Sequence, residues 1–294
     1  MPEVKEYTTP HKPTWCPGCG NFGMWEALKR ALSQLDLDFN EFSVVWGIGC
    51  HGNGADFLRT QGFHALHGRS LPVASALSLT RPDLKVIVEM GDGDGYGLGM
   101  GHFVHSVRRN IDMTCIAHNN QIYGLTTGQA SPTTEHLMRT VSTPGGVLEE
   151  PVNPLGLALA QGATFVARGF AGDIPHLTEL YKQAIEHEGF ALVDVFQPCV
   201  TWNKLNTFSW FRERVYNLED EGHDPSDRRA AFELSLTTFH EMTCTPDECR
   251  VPIGVFYRDD EVPTYNEDAT GAGEPGYHKA TKPRDISDLI AAFG

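Results

Sequence analysis

Trp25, Leu28, Leu32 and Leu35 recur every three or four positions with Lys29 and Arg30 on another face, and this spacing predicts an amphipathic helix over residues 22–35. Four later stretches follow a different rule. Residues 42–49 (FSVVWGIG), 84–90 (LKVIVEM), 112–118 (DMTCIAH) and 190–196 (FALVDVF) are short, nearly continuous apolar runs, the pattern of strands buried on both faces. Helical spacing returns between them at 71–79, 98–109, 154–161 and 174–187, the last two preceded by Asn153 and Asp173 where an N-cap belongs.

Strand and helix therefore alternate, which predicts an α/β fold: a mostly parallel sheet with helices on both faces. Such sheets bind ligands in the crevice outside the carboxyl ends of the strands, so chemistry is expected in the post-strand loops. Beyond Val200 the apolar runs thin out, aromatics stand in polar context, and 18 acidic residues face 10 basic ones. This predicts a domain over residues 1–200 followed by an irregular acidic C-terminal extension over 201–294, whose stretch 271–276 (GAGEPG) reads as a tail.

Composition narrows the function. With 40% hydrophobic residues in 294, the chain can bury a full core. Its 23 basic and 38 acidic residues leave a net charge of −15, which repels phosphate backbones and excludes sequence-independent nucleic-acid binding. No stretch approaches the roughly 18 consecutive apolar residues of a membrane span. The first twelve residues hold no apolar signal segment, so a cytoplasmic protein is expected. In a reducing compartment seven cysteines read as metal ligands and buried thiols, not as a disulfide framework.

The loop Gly91-Asp92-Gly93-Asp94-Gly95-Tyr96-Gly97-Leu98-Gly99 follows one predicted strand and opens a predicted helix, so free N–H groups face an anion there. The dinucleotide register G-x-G-x-x-G fails from each of its glycines. Asp92 stands where a phosphate would sit, and two like charges tolerate that only with a cation between them; Mg²⁺, which takes carboxylate and phosphate oxygens, fits best. Asn119-Asn120 close the next predicted strand, 28 positions after Asp92. This order of GDG, helix, strand and NN resembles the thiamin diphosphate motif. The resemblance implies Mg²⁺ ligation by Asp92, Asn120 and the main-chain carbonyl of Ile122.

Cys16-Pro17-Gly18-Cys19 alone fits zinc, an iron–sulfur cluster or a redox dithiol, although no strand pattern precedes it as a dithiol motif requires. Cys50 and Cys199 each follow a predicted strand and supply two further thiolates, a set that serves tetrahedral zinc or one cluster equally. Cys115, inside a predicted strand, reads as a small buried hydrophobe, and Cys244 and Cys249 as a separate pair or free thiols.

Taken together, CPGCGNFG (16–23), GIGCHGNG (47–54), HALHGR (64–69), GDGDGYGLG (91–99) and IYGLTTGQASPT (122–133) resemble the β subunit of the 2-oxoacid:ferredoxin oxidoreductases, over about residues 13–206. The resemblance implies a thiamin-diphosphate-binding fold and one 4Fe-4S cluster on Cys16, Cys19, Cys50 and Cys199. It implies a thiamin site formed by Ile48, Gly49, His67, Gly91, Asp92, Gly93, Asp94, Asn120, Ile122, Tyr123, Gly124 and Leu125. Catalytic candidates are His67, Arg69 and Asn53, with His51 beside them.

The implied reaction is oxidative decarboxylation of 2-oxoglutarate to succinyl-CoA, coenzyme A being co-substrate and electrons leaving singly through the cluster to ferredoxin; it runs backwards as reductive carboxylation. Pyruvate or broad 2-oxoacid specificity, and a non-oxidative decarboxylase with structural zinc, are the alternatives. The resemblance also implies a partner α subunit, in a heterodimer or a dimer of such heterodimers. That partner is expected to supply the thiamin-activating carboxylate and most of the CoA site, since Glu89 lies on a buried strand. Alone, the chain is expected to be inactive. Thr127 departs from the family's common lysine in LTKGQ. Seven cysteines fall short of the two sets of four that a two-cluster ferredoxin domain takes, so the electron carrier is a separate protein or module. The aromatics Trp202, Phe208, Trp210 and Phe211 suggest that the extension packs across the subunit interface or over the cluster.

Overall fold

The computed structural model describes residues 2–236, 245–246, 248–270 and 287–292. Among the described residues there are ten strands: β1 (Phe42–Trp46), β2 (Gln61–His64), β3 (Lys85–Gly91), β4 (Met113–Asn119), β5 (Ile122–Tyr123), β6 (Gln129–Ala130), β7 (Phe165–Phe170), β8 (Phe190–Phe196), β9 (Val215–Asn217) and β10 (Val251–Arg258). The helices are α1 (Asn21–Gln34), α2 (Ser70–Thr80), α3 (Met100–Arg108), α4 (Pro154–Gln161), α5 (Ile174–Glu186), α6 (Phe208–Arg212) and α7 (Arg228–Ser235), with short helical segments at Tyr265–Thr270 and Ser287–Ala292. Eight strands form one sheet in the order β2-β1-β3-β4-β8-β7-β10-β9. The first six are mutually parallel, β10 runs antiparallel to β7, and β9 is parallel to β10.

Alternation along the central strands feeds two cores, as a strand's period of two requires. Val86, Val88 and Met90 of β3 and Met113, Cys115 and Ala117 of β4 pack beneath α2, α3 and α4, while Val44, Trp46, Ile87 and Ile116 face α1 and α5. The chain leaves β1 for the outer strand β2, then returns on the opposite side of β1 to form β3. This reversal opens a crevice at the carboxyl ends of β1 and β3, where a doubly wound sheet binds its ligand.

Asn153 and Asp173 cap α4 and α5 as expected, accepting from the amides of Gly156 and His176. Among the described residues no helix is long and apolar enough to cross a membrane.

The part after Val200 differs from the irregular extension expected. β10 pairs along β7 and extends the sheet, with β9 outside it, and Phe211 stacks on Phe196 at a 4.6 Å centroid distance, so Phe208, Trp210 and Phe211 pack against this chain's own core. Pro252 and Gly254, the latter at φ +121°, together with the bulge between Val255 and Tyr257, broke the alternation that would have revealed β10. The tail at 271–276 and Cys244 lie outside the described residues, and Cys249 is disulfide-bonded.

Candidate active site

β3 ends at Gly91, Asp92 follows, and one π-helical turn (Gly93–Leu98) leads into α3. Gly93 is required by contact: a Cβ there would lie 2.2 Å from the ring of Tyr123, whose hydroxyl donates to the Gly93 carbonyl at 3.0 Å. Asp92 is buried, and burial pushes its carboxyl up to about 6 even though Ser131 and Thr133 hydroxyls approach Oδ2 at 2.6 and 2.7 Å. A buried carboxylate held only by neutral donors, these two hydroxyls and the Gly93 amide, gains strongly from a cation.

Asp94 does different work. Its Oδ1 accepts from the amides of Gly68 at 2.7 Å and Ile48 at 3.2 Å, tying the loop after β1 and the turn before α2 onto the glycine loop. Its Oδ2 is buried without a partner, as is His67 Nε2, which lies 3.8 Å from Asp94 Oδ1. Asn120, at the end of β4, accepts from the Ile122 amide at 3.0 Å and donates to Gln197 Oε1 at 3.2 Å.

All the residues put forward for the thiamin site, Ile48, Gly49, His67, Gly91–Asp94, Asn120 and Ile122–Leu125, line one cavity. His51, His118, Thr126 and Gln197 line it as well. Asn53 does not: it lies on a second cavity, its amide donating to Thr14 at 3.4 Å. Arg69 is exposed, bonded to the Gly68 carbonyl at 3.1 Å, and lines neither.

The second cavity is walled by Cys16, Cys19, Cys50 and Cys199, with Trp15, Val200, Trp202 and Thr127 around them. Burial, reinforced by the neighbouring cysteines, pushes the Cys19 thiol up to about 12 and the Cys50 thiol up to about 11. Cys19 and Cys50 become thiolates only with positive charge beside them, which iron or zinc would supply. Among the described residues no group of three or more His, Cys, Asp or Glu side chains is arranged around a single metal ion. The Trp15 indole donates to the Cys50 carbonyl at 2.6 Å, fixing the loop that presents that sulfur. Cys115 lies buried against Met90, away from the other four.

Two buried networks support the site and carry no local sequence signal. Glu89 on β3 is hydrogen-bonded to His118 on β4, whose other ring nitrogen meets Asn21 Oδ1 at 2.9 Å; burial raises the Glu89 pKa and lowers that of His118. On the other side of β4, Asn119 donates to Asp194, which also accepts from the Tyr96 hydroxyl at 2.8 Å.

A family profile described as the thiamine pyrophosphate enzyme C-terminal TPP binding domain matches residues 47–195, and one for the C-terminal part of the pyruvate ferredoxin oxidoreductase beta chain matches 199–273. The 2-oxoacid:ferredoxin oxidoreductase subunit beta of Saccharolobus solfataricus is 45% identical over 281 residues, covering 94% of this chain and 91% of the relative. The 2-oxoglutarate oxidoreductase subunit KorB of Mycobacterium tuberculosis is 43% identical over 68% of this chain and 53% of its own length. A solved 2-oxoglutarate:ferredoxin oxidoreductase from Magnetococcus marinus, with 2-oxoglutarate, coenzyme A and succinyl-CoA bound, superposes with a TM-score of 0.89 at 38% identity, covering 100% of this chain and 96% of that one.

Proposed function

The chain belongs to the β-subunit family of the 2-oxoacid:ferredoxin oxidoreductases, and on that premise we propose that, paired with an α subunit, it oxidises 2-oxoglutarate. In this reading 2-oxoglutarate, CoA and two oxidised ferredoxins give succinyl-CoA, CO₂, a proton and two reduced ferredoxins. Bound thiamin diphosphate supplies the nucleophile and electron sink for loss of CO₂, and a 4Fe-4S cluster accepts the electrons one at a time.

The chain's own residues prepare this chemistry. Asp92, Asn120 and the Ile122 carbonyl would hold Mg²⁺ against the diphosphate, while Asp94 keeps the Ile48 and Gly68 segments closed around it. His67 offers the cavity a buried ring nitrogen without a hydrogen-bond partner, a group that would be suited to proton transfer there. Arg69 remains at the surface, so it meets substrate only where the α partner covers that face. Cys16, Cys19, Cys50 and Cys199 would carry the cluster. We read residues 1–200 as bearing both cofactors, with Trp202 from the following segment helping to cover the cluster.

One observation carries the oxidative reading: the two cavities share a wall, since Cys50, Asn120, Gly124, Leu125 and Gln197 line both. A thiamin cofactor and an electron acceptor placed there would be neighbours across one layer of side chains, whereas a purely structural zinc needs no such proximity. The substrate assignment rests on the 2-oxoglutarate-bound neighbour, whereas the Saccharolobus relative, named only for 2-oxoacids, supports broader use.

The test is the anaerobically purified αβ complex assayed for CoA-dependent ferredoxin reduction. A kcat/KM for 2-oxoglutarate at least tenfold above that for pyruvate is expected. Equal values would move the assignment to a broad 2-oxoacid enzyme, and no reduction with any 2-oxoacid would refute the oxidative reading.

A further inference from the structure

Gln197 is the first residue after β8, and its backbone N–H donates to the Asn119 carbonyl at 3.0 Å, continuing the strand pairing into the post-strand loop. Its side chain is almost wholly buried, at 2% exposure, and crosses the wall between the two cavities. Room for it exists because residue 20 is glycine: a Cβ there would lie 2.9 Å from Gln197 Cγ and 3.0 Å from Nε2.

The amide is fully engaged. Nε2 donates to Cys19 Sγ at 3.3 Å and to the Pro198 carbonyl at 3.1 Å, while Oε1 accepts from Asn120 Nδ2 at 3.2 Å. The opposite rotation would set oxygen against oxygen at Pro198 and NH₂ against NH₂ at Asn120, so these partners define the orientation. One side chain thus touches a proposed cluster ligand at one end and a proposed Mg²⁺ ligand at the other.

We infer that Gln197 is a positioning residue joining the two cofactor sites, its N–H group tuning the Cys19 sulfur and its carbonyl holding Asn120 for the metal. The inference rests on the cluster and thiamin reading above. A hydrogen bond to a ligand sulfur withdraws charge from it and stabilises the reduced, more negative cluster, raising the reduction potential. The same amide group holds Asn120 so that Oδ1, turned from Gln197, stays on the side of Ile122.

Two substitutions separate these roles in the anaerobic αβ complex. Gln197→Met keeps length and packing but removes all three side-chain hydrogen bonds. Gln197→Glu keeps an acceptor for Asn120 and loses the donor to sulfur. The expected result for Met is a reduction equilibrium of the cluster shifted about tenfold against reduction, or about 59 mV for one electron, read by EPR-monitored redox titration. It is accompanied by a roughly tenfold weaker affinity for Mg²⁺–thiamin diphosphate. Glu is expected to lower the potential while leaving that affinity within about twofold of wild type, since the neutral-to-anionic change strengthens acceptance from Asn120.

A potential equal to wild type in both variants, with iron content intact, would overturn the inference. Where a variant fails to retain iron, the unaltered enzyme decides. With glutamine side chains labelled by ¹⁵N, its reduced cluster should show hyperfine coupling to an amide nitrogen, and the lack of one overturns the inference. Unaltered complex with no cluster at all would refute the cluster reading itself, and this inference with it.

Discussion

Thr133 Oγ1 stands 2.7 Å from Asp92 Oδ2 and 3.0 Å from Asn119 Oδ1, so a single hydroxyl bridges the carboxylate of the glycine loop and the end of β4. Its one proton serves one acceptor at a time. Donating to Asp92, it orients the oxygen pair proposed to meet Mg²⁺; this is the kind of outer support whose loss commonly weakens metal binding about tenfold to a hundredfold. Thr133→Val is therefore expected to raise the dissociation constant for Mg²⁺–thiamin diphosphate about tenfold, measured by calorimetric titration of the αβ complex. Thr133→Ser is expected to restore it, and equal weakening in both variants would show that packing, not the hydroxyl, matters.

Arg168 of β7 lies in register with Asp194 of β8, and both side chains are buried. The guanidinium Nε is 4.0 Å from Asp194 Oδ1, and the cation lies 5.0 Å from the Phe196 ring centre. Removing one member of a buried pair leaves a charge without compensation, at a cost of about 3 kcal/mol or more. Arg168→Met should lower Tm by something on the order of 6 °C in a chain of this size. The double variant with Asp194→Leu should lose less than the sum of the two single changes, as a thermal scan will show; strict additivity would mean the two do not interact.

That pair also explains what sequence pattern could and could not reveal. The central strands and the helices over them were legible because their residues are almost all apolar and their neighbours periodic. β7 escaped because its run, FVARGF, holds an arginine and a glycine, which look like an interruption until Asp194 is placed beside Arg168 by the sheet. β2 escaped because it is an edge strand with every residue exposed, and so has no buried pattern to read. The site shows the same division. Asp92, Asn120 and the four cysteines announce themselves by motif and spacing. Glu89, His118, Thr133 and Gln197 do not, because each gains its role from a partner on another strand or loop, as Gln197 does from Cys19 at a separation of 178 residues. Asn53 and Arg69 illustrate the reverse case: nearness to a motif in sequence did not place them in the first cavity.

Glu135 supplies a pH dependence with a definite sign. It is buried, burial raises its pKa above the ordinary 4.5, and the Asn206 amide that donates to it at 2.6 Å offsets this only in part. A carboxyl whose folded pKa is raised gives up its proton more readily in the unfolded chain. Its contribution is therefore full below 4.5 and is lost as pH rises from there through the folded value. Glu135→Gln, which keeps an acceptor for Asn206, should stabilise the protein relative to wild type near neutral pH, with the gain shrinking toward pH 4.5. Paired denaturant titrations across that range measure it, and a pH-independent difference would refute the assignment.

The cysteines make a separable prediction. Serine at position 16, 19, 50 or 199 should strip most of the iron from the complex, since each supplies one of the four thiolates that a cubane cluster takes. Serine at Cys115, buried against Met90 and away from the second cavity, should leave iron content unchanged, whatever it costs in packing. Iron and acid-labile sulfide analysis of the five variants checks both halves.

The central claim is that a thiamin site and an electron-accepting cluster face each other across the wall formed by Cys50, Asn120, Gly124, Leu125 and Gln197. Low-temperature EPR of the anaerobic αβ complex, loaded with thiamin diphosphate and Mg²⁺, tests it most directly when spectra are taken before and after 2-oxoglutarate and CoA are added. The account predicts a substrate-dependent signal of a reduced 4Fe-4S cluster or of an organic radical beside it. A complex that contains zinc in place of iron, or one whose cluster stays unreduced by every 2-oxoacid while thiamin remains bound, would contradict it.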